Sequence, residues 1–409
     1  MKLIGDNMTD IKRKNRSVIL QNLHENGGTS RKRLSAAVQL TPATISKIVA
    51  DMIEEGLVIS GAQLHNEKNA GRREVMVKVN YRAYSSLGIQ INLGAAVLSA
   101  TWLDGSIIFS ENVPLSSAAP ADDTIEQLTR RLLELAERHS LQRDRIIGIG
   151  VAIRGITDMQ NRVARRTLGA LDRDNYPIAD KIEELSKMRV VLANNVRSLL
   201  MAQMFESKEK GKESQYFLRC EYGIGAALSI EGEIWSGHNN RCSEIGHVPV
   251  IRRGGKPCTC GKSGCLQTIA SPLAIVTDTL EIFSAEATPV LWNMARDLDK
   301  EQITLDMILE AARNGDERVG EIVDRAISLL SGTLKTVIYT VNPAKLVLYG
   351  QIFENSFYLN RFLAEMEEGM DAETGLIEIQ KSLYNQQLET KAACILAIER
   401  FFKMGGIIE

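Results

Sequence analysis

The sequence predicts an α/β protein in which a small helical head with a β-ribbon precedes a larger, two-lobed body. Three observations predict it. Short amphipathic helices followed by an alternating apolar ribbon fill residues 1–80, a strand-turn-strand pattern at 87–111 recurs at 217–237, and helical and buried-strand segments follow each copy. A length of 409 residues suits two or three domains, and 44% hydrophobic with 24% charged residues is ample for a sizeable core. No apolar run reaches the roughly 18 residues of a membrane span. The basic N-terminus lacks the apolar centre of a signal peptide. With Cys220, Cys242 and Cys394 scattered along the chain, the expected setting is a reduced cytoplasm without membrane insertion.

The head comes first in the chain. Residues 11–25 read as an amphipathic helix with Ile11, Val18, Ile19 and Leu23 on one stripe, ended by Gly27-Gly28. A second helix starts after Thr29 or Ser30, either a good cap, and runs through Leu34, Ala37 and Val38. A third opens at Thr41-Pro42, a capping residue followed by proline at the first helical position. Its apolar residues Ile45, Ile48, Val49, Met52 and Ile53 face inward, leaving Thr44, Ser46 and Lys47 outward, and Gly56 stops it. Then come Leu57-Val58-Ile59, a polar tip reaching Ala70-Gly71-Arg72-Arg73, and Val75, Val77 and Val79 in alternation. That order is a winged helix-turn-helix.

In such a head the third helix enters the major groove, so Thr44, Ser46 and Lys47 are candidates for base edges. Arg72 and Arg73 are candidates for the minor groove, and Arg31, Lys32 and Arg33 for phosphate. Charge agrees: residues 1–80 carry 13 Lys/Arg against 8 Asp/Glu, a net of +5, whereas the remainder carries a net of −7. A basic head on an acidic body suits a head that meets a polyanion such as a double-stranded DNA operator.

In the body, LGIQINLGAAVLSATWLDGSIIFSE (87–111) is strand, glycine turn, strand, Asp104-Gly105 turn and strand, and FLRCEYGIGAALSIEGEIWSG (217–237) repeats it. Segments 124–138 and Ile146–Ile153 follow the first copy, 326–341 and Leu346–Tyr349 the second. This duplication resembles the actin/hexokinase, ribonuclease-H-like architecture, in which two lobes close over a cleft.

Just after the second copy, His247, Cys258, Cys260 and Cys265 follow the spacing H-x10-C-x-C-x4-C, interleaved with Gly261 and Gly264. Four sulfur or imidazole ligands at short range suit tetrahedral Zn2+, and glycines let a tight loop wrap the ion. Disulfide pairing within the cluster would leave one of its three cysteines over.

EIGH followed by C-x-C-G-x-x-G-C resembles the zinc loop of the ROK family, which groups repressors, open reading frames and sugar kinases. SRKRLSAAVQLTPATISKIVADMIEEGLV and AGRRE resemble the heads and wing tips of its repressors, and GCLQTIAS and NNVRSLLMAQ its glucose and N-acetylglucosamine repressor branch, with xylose repressors also open. The resemblance covers essentially the whole chain. It implies a head at 1–80, a first lobe at 81–195 with the helix at about 388–409, and a second lobe at 196–387 holding a structural zinc loop and a dimer interface.

Residue by residue, the kinase features fail. The Asp-x-Gly-Gly-Thr phosphate turn of the kinases is Asn92-Leu93-Gly94-Ala95, the glycine pair near adenosine is Tyr349-Gly350-Gln351, and the Pro-Gly after Ile153 is Arg154-Gly155. The aspartate that serves as general base is Asn195, an amide that cannot take the proton. The sugar-contacting positions are Asn194, Asn195, Glu244, His247 and Gln267, all able to hydrogen-bond hydroxyls. The resemblance therefore implies no catalytic residues and a dimeric DNA-binding repressor of sugar uptake or metabolism genes, controlled by a sugar or sugar phosphate. A ROK sugar kinase with an added head, and a repressor controlled by a sugar-transport protein partner, are the alternatives. The effector, the operator, and dimer against dimer of dimers stay open.

Overall fold

A computed structural model describes residues 8–64, 74–116, 118–207, 213–370, 377–382 and 386–408. The chain divides into two compact units, residues 1–210 with 386–409, and residues 211–385.

The first unit opens with the head: α1 (Met8–Glu25), β1 (Thr29–Ser30), α2 (Arg31–Val38), α3 (Pro42–Glu54), β2 (Val58–Leu64) and β3 (Glu74–Val79). The strands form a sheet in the order β1-β3-β2. Ser30 closes β1 and caps α2, accepting the Arg33 N–H at 3.3 Å. Ile19, Leu20, Leu23, Leu34, Ile45, Ile48, Val49, Met52, Val77 and Val79 form its core. Two expectations need correction. Ile11 and Val18 are 45% and 40% exposed, because two residues seven apart share a face of α1 that no described residue covers; the inward face carries Arg16, Leu20 and His24 instead. Ile53 is only partly buried, and Val75 lies exposed on the ribbon.

The first lobe continues with β4 (Ser85–Ile91), β5 (Ala95–Trp102), β6 (Ile107–Pro114), α4 (Ala121–Arg138), β7 (Ile146–Ile153), β8 (Ile156–Asp158), β9 (Val163–Arg166), α5 (Ile178–Ser186), β10 (Val190–Asn194) and α6 (Asn195–Ser207). Its sheet runs β6-β5-β4-β7-β10: a three-stranded antiparallel meander extended by two parallel strands.

The second unit repeats that order. After β11 (Gln215–Cys220), β12 (Ile224–Ile230) and β13 (Glu233–Ile234) come α7 (Gln267–Ala270), α8 (Pro272–Ile282), α9 (Pro289–Ala295), α10 (Leu305–Arg313) and α11 (Glu317–Val341), then β14 (Lys345–Tyr349), α12 (Ser356–Glu367) and β15 (Glu378–Lys381). The sheet is β13-β12-β11-β14-β15, with antiparallel pairing in the meander and parallel pairing beyond it. The duplication read from 87–111 and 217–237 is thus a duplication of sheet topology.

The last helix, α13 (Gln386–Lys403), returns to the first unit and lies on β4, β7 and α6. Gly88 and Gly150 are paired in register across β4 and β7. A Cβ on Gly150 would stand 1.7 Å from the Ala393 carbonyl oxygen, and one on Gly88 2.7 Å from Cys394 Sγ. Two facing glycines therefore let a helix backbone reach the sheet. Ser86 and Ser99 hydroxyls then donate to the carbonyls of Cys394 and Thr390 at 2.9 and 2.7 Å. Because α6 packs along α13, the division falls at 210 rather than after 195. Among the described residues no helix is long and apolar enough to cross a membrane.

Gly150→Ala should therefore lower stability by about 3 kcal/mol through overpacking against a backbone that cannot retreat. Gly320→Ala, in α11 with open space around it, should instead be neutral or stabilising by up to about 1 kcal/mol. Chemical unfolding of both variants checks the contrast.

Candidate functional site

Three groups of side chains carry the chemistry, and the metal cluster is the most tightly built. A 3₁₀ turn at Ile245–His247 leads into an extended run whose Val250 and Ile251 N–H groups both donate to the Gly264 carbonyl, at 2.8 and 3.1 Å. Gly264 has φ +71°, and a Cβ there would lie 2.1 Å from the Ile251 carbonyl oxygen, so only glycine closes this turn. The Cys258 N–H donates to the Lys262 carbonyl at 2.7 Å and the Gly261 N–H to the Cys258 carbonyl at 2.9 Å, folding the cysteine segment back on itself.

The result brings one ligand atom from each of His247, Cys258, Cys260 and Cys265 within 4.8 Å of all the others. His247 Nδ1 lies 3.5 Å from Cys258 Sγ, and Cys260 Sγ lies 3.6 Å from Cys265 Sγ. Around a tetrahedral ion with metal–sulfur bonds of about 2.3 Å, sulfurs stand about 3.8 Å apart. The spacing and the donor set fit a four-coordinate metal with no open position. The other imidazole nitrogen, Nε2, faces Glu244 Oε2 at 4.0 Å, so the ring can bind on one side and meet a carboxylate on the other.

Burial, and then the neighbouring thiols, push the Cys265 thiol up to about 12. Burial acts the same way on Cys260, but the backbone at Lys262 and the other two thiols outweigh it and lower its pKa.

The polar residues expected to read an effector fall into two groups, one in each unit. In the first, Asn194 ends β10 and caps α6: its Oδ1 accepts the Arg197 N–H at 2.9 Å, and its Nδ2 donates to the Gly155 carbonyl at 3.4 Å. Asn195 opens α6 and is buried. In the second unit, Glu244 precedes the 3₁₀ turn and His247 ends it. Gln267 opens α7, but its Nε2 donates to Cys258 Sγ at 3.2 Å. Its side chain is thus engaged by the metal cluster, a role the sequence reading missed. The signal was there: glutamine can donate to a thiolate, and a glutamate could not.

On the head, Thr41 caps α3, accepting the Thr44 N–H at 3.2 Å. The two hydroxyls are 2.9 Å apart, which ties Thr44 to the cap. Ser46 and Lys47 lie exposed on the same helix, with the small exposed Ala43 beside its start. Lys32 and Arg33 are exposed, Arg33 reaching Glu74 at 3.6 Å, and Arg31 is half-buried. Arg72 and Arg73 lie outside the described residues.

Comparison with known proteins agrees with this arrangement. Residues 88–399 match the ROK family model, and residues 12–59 match a winged helix-turn-helix DNA-binding model. The chain belongs to the ROK family. An N-acetylglucosamine repressor from Escherichia coli is 25% identical over 349 residues, covering 85% of this chain and 83% of its own. A crystal structure of a ROK-family transcriptional regulator, a homologue of the E. coli Mlc protein, covers 97% of this chain and 98% of its own, at 21% identity and a TM-score of 0.80. A ROK hexokinase from Thermus thermophilus, also 21% identical, covers 76% of this chain and 97% of its own, with a TM-score of 0.60. The regulator thus shares the fold across nearly the whole chain, and the hexokinase across only part of it.

Thr41→Ala removes the cap of α3 and should lower the thermal stability of the head by about 1 kcal/mol, read by amide exchange in α3 against α4 as an internal control.

Proposed function

We propose that this ROK protein is a DNA-binding transcriptional repressor of sugar uptake or metabolism genes, and that a sugar or sugar phosphate controls it. The observation that carries this reading is α3 itself: a helix capped by Thr41 and started by Pro42, with Ser46 and Lys47 exposed, on a head joined to a ROK body. Its first turns suit the major groove, and Arg72 and Arg73 are assigned to the minor groove. Operator half-sites of a two-fold duplex call for a homodimer. A face of the second unit suits that contact: Gly332 and Thr336 of α11 and the 42%-exposed Val248 line an open depression there.

The reading excludes sugar phosphorylation. The β4–β5 turn offers the 59%-exposed Leu93 where a phosphate cradle needs paired glycines. Asn195, an amide, supplies no base for the sugar hydroxyl. Asn194 and Asn195 in one unit, with Glu244, His247 and Gln267 in the other, are the residues we assign to the effector. The metal is assigned as Zn2+ on His247, Cys258, Cys260 and Cys265. It holds in place the loop that bears Glu244 and has no part in any reaction.

Two experiments test this. A duplex selected by the protein from a random-sequence library should be bound by the whole chain and not by residues 81–409. Lys47→Ala should weaken that binding by about 1–3 kcal/mol if it reads a base, and Arg72→Ala with Arg73→Ala should do the same for each base contact. Equal binding by the truncated protein would remove the head assignment.

Elemental analysis should find about one zinc per chain. Cys258→Ser should abolish it and melt the loop before the rest of the second unit. Zinc should be lost as pH falls, since each ligand must shed its proton to bind.

A further inference from the structure

Resting on that reading, we propose that α6 and α13 form the lever by which the state of Asn194 reaches the DNA-binding helix, through a clasp made by Arg16, His24 and the segment 404–408. α6 spans 13 residues, about 20 Å. One end is capped by Asn194, and the other carries Phe205 and Glu206. Glu206 pairs with Lys391 of α13, which packs along α6.

Both helices end against the head. The Phe205 ring stacks on His24 of α1 with centroids 4.4 Å apart, and Phe402 of α13 meets the same imidazole edge-on at 5.4 Å. His24 Nδ1 also lies 3.1 Å from the Tyr81 hydroxyl. His24 is thus held between the two helices of the lever and the link into the first lobe.

Beyond α13 the chain turns at Gly405 (φ +70°) and Gly406 (φ +77°) and lies in the head. Arg16, 2% exposed, donates from Nε to the Gly405 carbonyl at 2.7 Å, and from its two terminal nitrogens to both Glu55 oxygens at 2.9 and 2.5 Å. Glu55 is the C-cap of α3, directly after its last residue. One buried guanidinium therefore joins the end of the recognition helix to the segment that follows the lever. A Cβ on Gly406 would stand 2.2 Å from Leu57 Cδ2 and 3.1 Å from Leu20 Cδ1, so the fit admits no side chain there. Tyr84 and Arg145 of the first lobe also reach the Glu55 carbonyl, at 3.5 and 3.4 Å.

Arg16 and His24 are buried whereas Ser46 and Lys47 are exposed, so DNA contact does not explain the burial of the first two. A bidentate buried arginine is a geometric lock, and breaking one partner leaves a costly uncompensated charge. An effector that draws Asn194 away from the Arg197 N–H disturbs the start of α6. Rigid, contiguous packing passes that disturbance to His24 and to the lock on Glu55. Operator affinity responds because α3 is positioned by the same lock.

A double-mutant cycle on the selected duplex tests the lever without a known effector. Asn194→Ala, which removes the cap of α6, should change operator affinity by about three- to tenfold in otherwise intact protein. The same change made with Gly406→Ala, or separately with Phe205→Leu, should have an effect near onefold. A merely structural role for the clasp would lower affinity equally with and without Asn194→Ala. If Asn194→Ala is silent in the intact protein, or keeps its full effect in both clasp variants, the lever is wrong while the repressor reading stands. Should the wild type select no duplex at all, the repressor reading falls and takes the lever with it.

Discussion

The first unit depends on one contact: a helix from residues 386–403 lying directly on the β4–β7 strand pair. Gly88 and Gly150 face each other in that pair, and each leaves room for helix backbone where any other residue would put a methylene. The hydroxyls of Ser86 on β4 and Ser99 on β5 then bond the helix carbonyls, so polar groups buried by the approach are satisfied. Remove that contact and three things lose their footing together: the apolar face of the first sheet, the packing of α6, and the route from α13 into the head.

The second unit is organised differently. Its core is a sheet of the same topology, but the polar loop beside it has no apolar core of its own and closes on backbone turns at Gly261 and Gly264 around four ligand atoms. Such a loop is well suited to be held by a metal, because ion binding supplies order that burial cannot. Gln267 shows how the cluster spreads its influence, with an amide from the next helix placed on a ligand sulfur. An assignment of Gln267 to an effector has to share that side chain with Cys258.

The helices of the head, both meanders and the His/Cys3 cluster were legible in the sequence because each rests on local rules: capping at Thr41, turn glycines, alternation along strands, and ligand spacing. What was not legible rests on contacts between residues far apart in sequence. Ile11 and Val18 looked like core because periodicity reports that a helix has a face, not which face the protein covers. Nothing in the local pattern of α1 marks Arg16 and His24 for burial. Besides Glu55 and Tyr81, their partners Gly405, Phe402 and Phe205 lie about 180 to 390 residues away, beyond the reach of any pattern within α1. Gln267 was placed by motif, and its actual hydrogen bond depends on how the loop folds. The wing arginines, Arg72 and Arg73, lie outside the described residues, so the sequence reading stands there by itself.

On the lever proposed above, the head and the lever of the first unit act as one mechanical body, with α13 as its spine. Native-state hydrogen exchange tests it most directly. The account predicts that amides at the inward face of α1, around Leu20 and Leu23, open with the same free energy as those in the last two turns of α13. Both sets should rise together when the selected duplex is bound. Exchange of the α1 amides at a much lower free energy than α13, with only α1 protected by DNA, would mean a head tethered loosely to the lobe and would contradict the account.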